Sequence, residues 1–272
     1  MRKAVHRKYG YSCAIKLIKK DFVDPVPRKK QSIMNEMRIL EQIRNPNILR
    51  SYEFLHDEKY YFIVTELVQH GDLFNYYCGR QEAEEELFDE HQIKVVAKQL
   101  FSALDYLHSN HIFHRDVKLE NVLLEGFVGK EPVIRLSDYG FSIKLNDNES
   151  PKDRVGSNFF MAPELISHHK YGFKADIWAA IVTLYSLVHG SLPFYGETFK
   201  ELKDEILTYD MSVEILNDAS WEHMSIQAKD FFVKGFRKNP KHRPSASEML
   251  NHPWLQDVQV PESVPDVPTS NG

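Results

Sequence analysis

The chain has two cysteines, Cys13 and Cys78, far apart and outside any C-x-x-C spacing. That excludes a disulfide framework or a cysteine-ligated zinc site and suits a reducing compartment, the cytoplasm or the nucleus. Long apolar runs are missing too. The longest, Ile177 to Val188, is about a dozen residues, contains Thr183, Tyr185 and Ser186, and is too short to span a bilayer, so it reads as a buried helix. No apolar core follows Met1, where Arg2, Lys3, His6, Arg7 and Lys8 crowd the start, so no secretory leader is expected. Charge of one sign is not in excess: a formal net charge of −5 over 272 residues gives no general attraction to nucleic acid. Neither nucleic acid nor membrane is therefore expected as a partner. No internal repeat occurs, and the histidines lack metal-ligand spacing. Finally, no G-x-G-x-x-G appears, so these residues hold no glycine-rich, phosphate-covering loop.

What is present suits a globular protein with a sizeable core, one large domain or two intimate lobes. Residues 1–16 read as a hairpin turning at Gly10, its second strand ending in Cys13-Ala14-Ile15-Lys16. Asp24-Pro25-Val26-Pro27 breaks the chain. From Gln31 to Ile43, Ile33, Met34, Met37, Ile39, Leu40 and Ile43 recur at helical intervals around Glu36, and Asn45-Pro46-Asn47 stops the helix. Two strands follow, Tyr52–Leu55 and Tyr60–Val68. Beyond Gln69-His70-Gly71-Asp72 the pattern becomes mainly helical: His91–His108, Ala175–Val188, Thr198–Leu207 and Ser225–Phe236. The acidic block Glu82–Glu90 reads as a solvated loop and helix start. From Val258 on, the proline-punctuated residues form little core pattern, and 258–272 is expected to be a disordered tail.

Between two apolar runs lies the polar stretch His114-Arg115-Asp116-Val117-Lys118-Leu119-Glu120-Asn121. Alone it could be a solvated turn. Order and spacing argue for more. A strand lysine (Lys16), a helix glutamate (Glu36), this loop, Ser137-Asp138-Tyr139-Gly140 and Met161-Ala162-Pro163-Glu164 come in the order of the protein-kinase signature set. The chain resembles the eukaryotic Ser/Thr protein kinases from about residue 1 to 255. Leu119-Glu120-Asn121-Val122-Leu123, Gly71-Asp72-Leu73-Phe74 and His252-Pro253-Trp254-Leu255 are most similar to the calmodulin-dependent and AMP-activated kinase group.

The resemblance implies an α+β, two-lobed fold over residues 1–257, with a small sheet-and-helix lobe to residue 68 and a larger helical lobe from 69. It implies ATP and Mg²⁺ as cofactors and a protein serine or threonine as acceptor. Lys16, held by Glu36, would meet the nucleotide phosphates. Asp116 would orient the acceptor hydroxyl and Lys118 would neutralise the transferring phosphoryl group, while Asn121 and Asp138 would bind the metal. Ala14 and Leu123 would line the adenine site, Glu66 to Val68 would form the hinge, and Thr65 would stand at its back. His114 is expected to be structural. Glu164 and Arg243 look like a buried ion pair, and Asp176 like the acid that holds the catalytic loop. Asp72, Glu120 and Ser157 fall at substrate-contacting positions. Asp72 has a second reading as a helix cap. Arg115 would bind an activation-loop phosphate, and here the matching position is Asp153, a carboxylate.

Four departures stand out. The glycine-rich loop and first strand are absent, and Met1 falls where the family has the valine after that loop. This leaves open a pseudokinase-like scaffold or nucleotide-binding module as the alternative to an active enzyme. Tyr139 replaces phenylalanine, Ile181 stands where glycine is usual, and Asn239 replaces an aspartate.

Overall fold

The computed structural model describes residues 1–145, 149–151 and 153–261. The small lobe is a twisted four-stranded antiparallel sheet, β1 (Arg2–Val5), β2 (Ser12–Lys19), β3 (Ser51–His56) and β4 (Tyr60–Glu66), in the order β1-β2-β4-β3. Between β2 and β3 come the short helix α1 (Lys20–Val23), which the sequence pattern did not signal, and α2 (Pro27–Gln42). α2 starts four residues earlier than its apolar periodicity suggests. Pro27 opens it, where a missing N–H costs nothing. The alternation of β2 sends Ala14, Lys16 and Ile18 to one face, toward α2 and the cleft. β4 ends two residues sooner than expected, at Glu66.

The large lobe begins with α3 (Leu73–Glu82) and α4 (Glu90–Ser109), the latter opened by a capping box in which Asp89 and Gln92 satisfy each other's backbone N–H groups. Strands β5 (Ile112–Phe113), β6 (Val122–Val128), β7 (Glu131–Leu136) and β8 (Ile143–Lys144) make two small ribbons, β5-β8 and β6-β7. Helices α5 (Pro163–Ile166), α6 (Lys174–His189), α7 (Phe199–Thr208), α8 (Met211–Asn217), α9 (Ile226–Gly235) and α10 (Ala246–Leu250) complete it. The N-caps of α7 and α9 are Thr198 and Ser225, so their starts were legible as capping residues before apolar runs.

α6 is apolar all round because it is surrounded. Ile177, Trp178, Ala180, Ile181, Val182, Leu184 and Leu187 are fully buried, and α4 and α9 pack against it. A second fixed point is the ion pair of Arg243, 1% exposed, with Glu164, 4% exposed, at 2.8 and 3.0 Å. The guanidinium also donates to the carbonyls of Arg237, Lys174 and Lys238, so all five of its N–H groups are used, and it lies over the Trp178 ring at 5.2 Å. Val258 corrects part of the expected tail. It is buried, and its carbonyl, like that of Leu255, accepts from Lys98 on α4. The tail from 262 onward lies outside the described residues.

The isoleucine at 181 finds its room on α9. A Cβ added to Gly235 would overlap Cγ1 and Cδ1 of Ile181, so a glycine on the neighbouring helix compensates for the branched side chain on α6. Gly235→Ala is therefore expected to destabilise the protein by about 1–3 kcal/mol through overpacking, despite alanine's better helix propensity. Adding Ile181→Ala should recover part of that loss. A denaturant double-mutant cycle showing no coupling between the two sites would contradict this packing.

Candidate active site

The central loop is held from below by one carboxylate. Asp176, in the first turn of α6 and 1% exposed, accepts the backbone N–H of His114 and of Arg115, each at 2.9 Å. His108 Nε2, from the end of α4, stands 2.9 Å from the same carboxylate. Arg115 is thereby kept at φ 72°, a left-handed conformation that a non-glycine residue adopts only when its surroundings impose it. His114 is fully buried. Its Nε2 faces the Ser137 carbonyl at 3.1 Å and its Nδ1 accepts from the Asp116 N–H at 3.3 Å, so both ring nitrogens serve the loop's shape and neither is left to move a proton.

On this platform four side chains converge. Asn121 Nδ2 donates to the Asp116 carbonyl at 2.7 Å and to its Oδ2 at 2.9 Å. Lys118 Nζ is 3.0 Å from Asp116 Oδ2 and 2.8 Å from Ser157 Oγ. Ser157 donates to Asp116 Oδ1 through its N–H and its hydroxyl, both at 3.1 Å. The chain can pass this closely only because residue 156 is glycine: its φ is 106°, and a Cβ there would lie 2.5 Å from the Arg115 carbonyl oxygen.

The second half of the site hangs from the small lobe. Lys16 Nζ is 2.8 Å from Glu36 Oε1 and 3.3 Å from Asp138 Oδ1, joining β2, α2 and the loop after β7. Ser32 on α2 donates to the Gly140 carbonyl, a second tie that the sequence did not announce. Burial works against the Lys16 ammonium, but Glu36 and Asp138 outweigh it and hold its pKa above the usual lysine range. Asp138 also feels burial, and there Lys16 wins and keeps the carboxyl below its ordinary range. Glu36 is the most enclosed of the three, and burial lifts its carboxyl against the pull of Lys16. Tyr139 keeps the packing of an aromatic residue. Its ring meets His114 at 5.0 Å, and its hydroxyl donates to the Leu136 carbonyl at 3.3 Å.

Asn121 and Asp138 are the residues whose donor atoms would suit a divalent cation. The asparagine spends its amide nitrogen on Asp116, which leaves its side-chain oxygen for a hard cation, and Asp138 adds a carboxylate. Two such ligands suit Mg²⁺, which keeps waters and takes phosphate oxygens for the rest.

Ala14 pairs with Thr65 across β2 and β4 in the small lobe, and Leu123 bridges to Asp72 in the large lobe. The Glu66 side chain is engaged within the small lobe: its Oε1 accepts the Arg50 N–H at 2.8 Å. Asp72 caps α3. Its two carboxylate oxygens accept from the Asn75 N–H and Nδ2, both at 2.8 Å, whereas Glu120 is exposed. Arg115 does reach Asp153, at 3.0 Å, with a further bond to the Phe141 carbonyl at 2.5 Å. Local sequence gave no signal for His108 or Ser32, because their partners lie 68 and 108 residues away.

A small sheet lobe above a helical one, with these groups facing across the cleft, is the arrangement of a protein kinase. The model of the protein kinase domain family matches residues 1–255, and the chain belongs to that family. It is 34% identical over 254 residues to calcium-dependent protein kinase 5 of Plasmodium berghei, covering 93% of this chain and 42% of that protein. Calcium-dependent protein kinase 4 of the same organism is 31% identical, with 96% and 48% covered. A probable myosin light chain kinase of Dictyostelium discoideum is 30% identical, with 94% and 63% covered. These similarities put the chain with the calmodulin-dependent-kinase-like group. It spans about half the length of these relatives. No described helix is long and apolar enough to cross a membrane.

Proposed function

We propose that this chain transfers the γ-phosphoryl group of Mg-ATP to a serine or threonine hydroxyl of a protein. The observation that carries the reading is the joined set Lys16–Glu36–Asp138 and Asp116–Lys118–Asn121, each contact within 3.3 Å. Asp116 accepts a hydrogen bond from the acceptor hydroxyl and aligns its oxygen for in-line attack. Lys118 faces the charge on the phosphoryl group in flight, and Lys16 holds the phosphates that stay behind. The bound metal would neutralise phosphate charge, held by Asn121 and Asp138. Asp116→Asn is expected to lower turnover by about 10²-fold or more with nucleotide affinity nearly unchanged. Asp138→Asn should weaken Mg-ATP binding itself. Equal loss of nucleotide affinity in both variants would refute the assigned roles, and nucleotide binding by wild type without any transfer would favour a non-catalytic module.

Regulation is read from Asp153. A carboxylate paired with Arg115 does unmodified part of what an activation-loop phosphate does, with less charge. Because Asp153 is 60% exposed, the pair is worth no more than about 1 kcal/mol. Basal turnover of Asp153→Ala should fall about two- to fivefold, and unchanged turnover would remove Asp153 from the activation scheme.

For the substrate, we read a preference for one basic residue upstream of the acceptor. Glu120 lies at the mouth of a groove of about 320 Å³ whose lining includes Ser157, Phe160 and Tyr77. Asp72 is already engaged as a cap, so Glu120 carries more of the preference. In a positional peptide scan, Glu120→Gln should flatten the basic preference more than Asp72→Ala does. Asp72→Ala should mainly lower stability, by about 0.5–2 kcal/mol. The opposite ranking would return the role to Asp72.

A further inference from the structure

Just after Asp153 the chain carries a cation that no acid answers. Arg154 is exposed, and its Nη1 stands 2.9 Å from His168 Nε2, while its Nε and Nη2 make no bond among the described residues. His168 follows α5 in the left-handed conformation, φ 62°, that closes a helix, and the next N–H, of His169, donates to the Glu164 carbonyl at 3.1 Å. Partial desolvation, then Arg154, then Lys203 of α7 hold the His168 ring below the ordinary histidine range. The ring is therefore neutral near pH 7, and its Nε2 accepts from the guanidinium.

Both charges that bear on this ring are positive, and no carboxylate pairs with Arg154 or Lys203 among the described residues. The acids near them in sequence are engaged elsewhere: Asp153 with Arg115, Glu201 with the N-cap of its own helix, and Glu205 with the Tyr195 N–H. Asp204 is adjacent to Lys203 on α7, and adjacent helix residues do not face each other. Position gives the surplus a use. Three residues after Arg154, Ser157 donates through its N–H and its hydroxyl to Asp116 Oδ1, so the stretch 154–157 borders the place of the acceptor hydroxyl. The groove that holds Glu120 is lined by Ser157, Phe159 and Phe160 but by neither Arg154 nor His168, so these cations lie outside it.

We infer that Arg154, backed by His168 and Lys203, selects protein substrates that carry an anionic side chain one to three positions after the acceptor. The inference rests on the proposed phosphoryl transfer and on Glu120 meeting the upstream side of the substrate. Three extended residues cover about 10 Å, so a substrate chain laid along 157 back to 154 brings those positions to the guanidinium. Its free Nε and Nη2 edge matches two oxygens of a carboxylate or phosphate at once. The bond to His168 already restrains the arginine, so less side-chain freedom is lost on binding. The acceptor would then sit between an acid that reads a basic residue before it and a base that reads an acidic residue after it.

The test uses the full chain, Mg-ATP and serine peptides with one upstream arginine that differ only in Glu or Gln at each of the three downstream positions. At the best position Glu should raise kcat/KM over Gln by about three- to fivefold. That ratio should fall toward one in Arg154→Gln, drop less in Lys203→Gln, and turn in favour of a downstream lysine in Arg154→Glu. Phosphoserine in place of the Glu separates the two anions: a larger gain assigns phosphorylated substrates, a smaller one carboxylates. A second readout needs no turnover. With a non-hydrolysable ATP analogue and Mg²⁺ bound, the same peptides with alanine as acceptor are titrated while the His168 ring resonances are followed by NMR, and the Glu peptide should shift them where the Gln peptide does not. This shift without transfer to any peptide would refute the kinase reading and leave the anion site standing. Equal kcat/KM for Glu and Gln, an unchanged ratio in Arg154→Glu, the same gain from Glu five positions downstream, or no shift at His168 would each overturn the proposal.

Discussion

The carboxylate of Asp176 supports the catalytic half of the molecule. It sits in the first turn of an otherwise apolar helix, almost without solvent, and a charge in that position is tolerated only where donors surround it. Those donors are the backbone N–H groups of His114 and Arg115 and the ring of His108. The same bonds bend the chain into the left-handed conformation at Arg115 and so aim Asp116, Lys118 and Asn121 at one point. Stability and function are hard to separate here. Removing the acid would leave two buried N–H groups unpaired and release a backbone strain of about 1–3 kcal/mol.

The two lobes meet through few but specific contacts. In front, Lys16 reaches both Glu36 and Asp138, and Ser32 reaches Gly140, so the position of α2 is tied directly to the segment that carries Asp138. Behind, the α2–β3 connection is pinned to the large lobe: Leu49 N–H to the Leu136 carbonyl at 2.9 Å, Leu136 N–H to that of Asn47 at 2.8 Å, and Arg44 N–H to the Tyr106 hydroxyl at 2.9 Å. Two of these three rear contacts are backbone to backbone, and the third ends on a tyrosine hydroxyl. Those in front are the ion pairs of Lys16 and one hydrogen bond from the Ser32 hydroxyl, all made by side chains.

The departures from the family pattern divide by how the structure absorbs them. Tyr139 is absorbed locally, its hydroxyl finding the Leu136 carbonyl inside the core. Ile181 is absorbed at a distance, by a glycine on α9. The Asp153 side chain is not a packing matter, since it lies exposed and meets Arg115 as an ion pair. A change of size thus needed a partner across an interface, while a change of polarity needed only one acceptor.

Much of this was legible in the chain as written. Helices with a strong apolar period and a capping residue, such as α4, α7 and α9, appear within about a residue or two of their expected bounds, because periodicity and caps are local. α1 and the early start of α2 were not legible, since four residues carry no period and Pro27 reads equally as a breaker. Lys16, Glu36, Asp116, Lys118, Asn121 and Asp138, which the structure brings into two joined clusters, were singled out in the sequence by an order and spacing that match the family's signature set. What only the tertiary structure decided is which of several satisfied states each polar group takes. Asp72 became a cap because Asn75 lies within reach of both its oxygens, and Glu66 turned to the rear because strand alternation put it opposite Thr65. Val258 was drawn onto α4 by Lys98, 160 residues away along the chain. Only the last of these depends on a neighbour distant in sequence; at Asp72 the cap was one of two local readings, and the fold selected it.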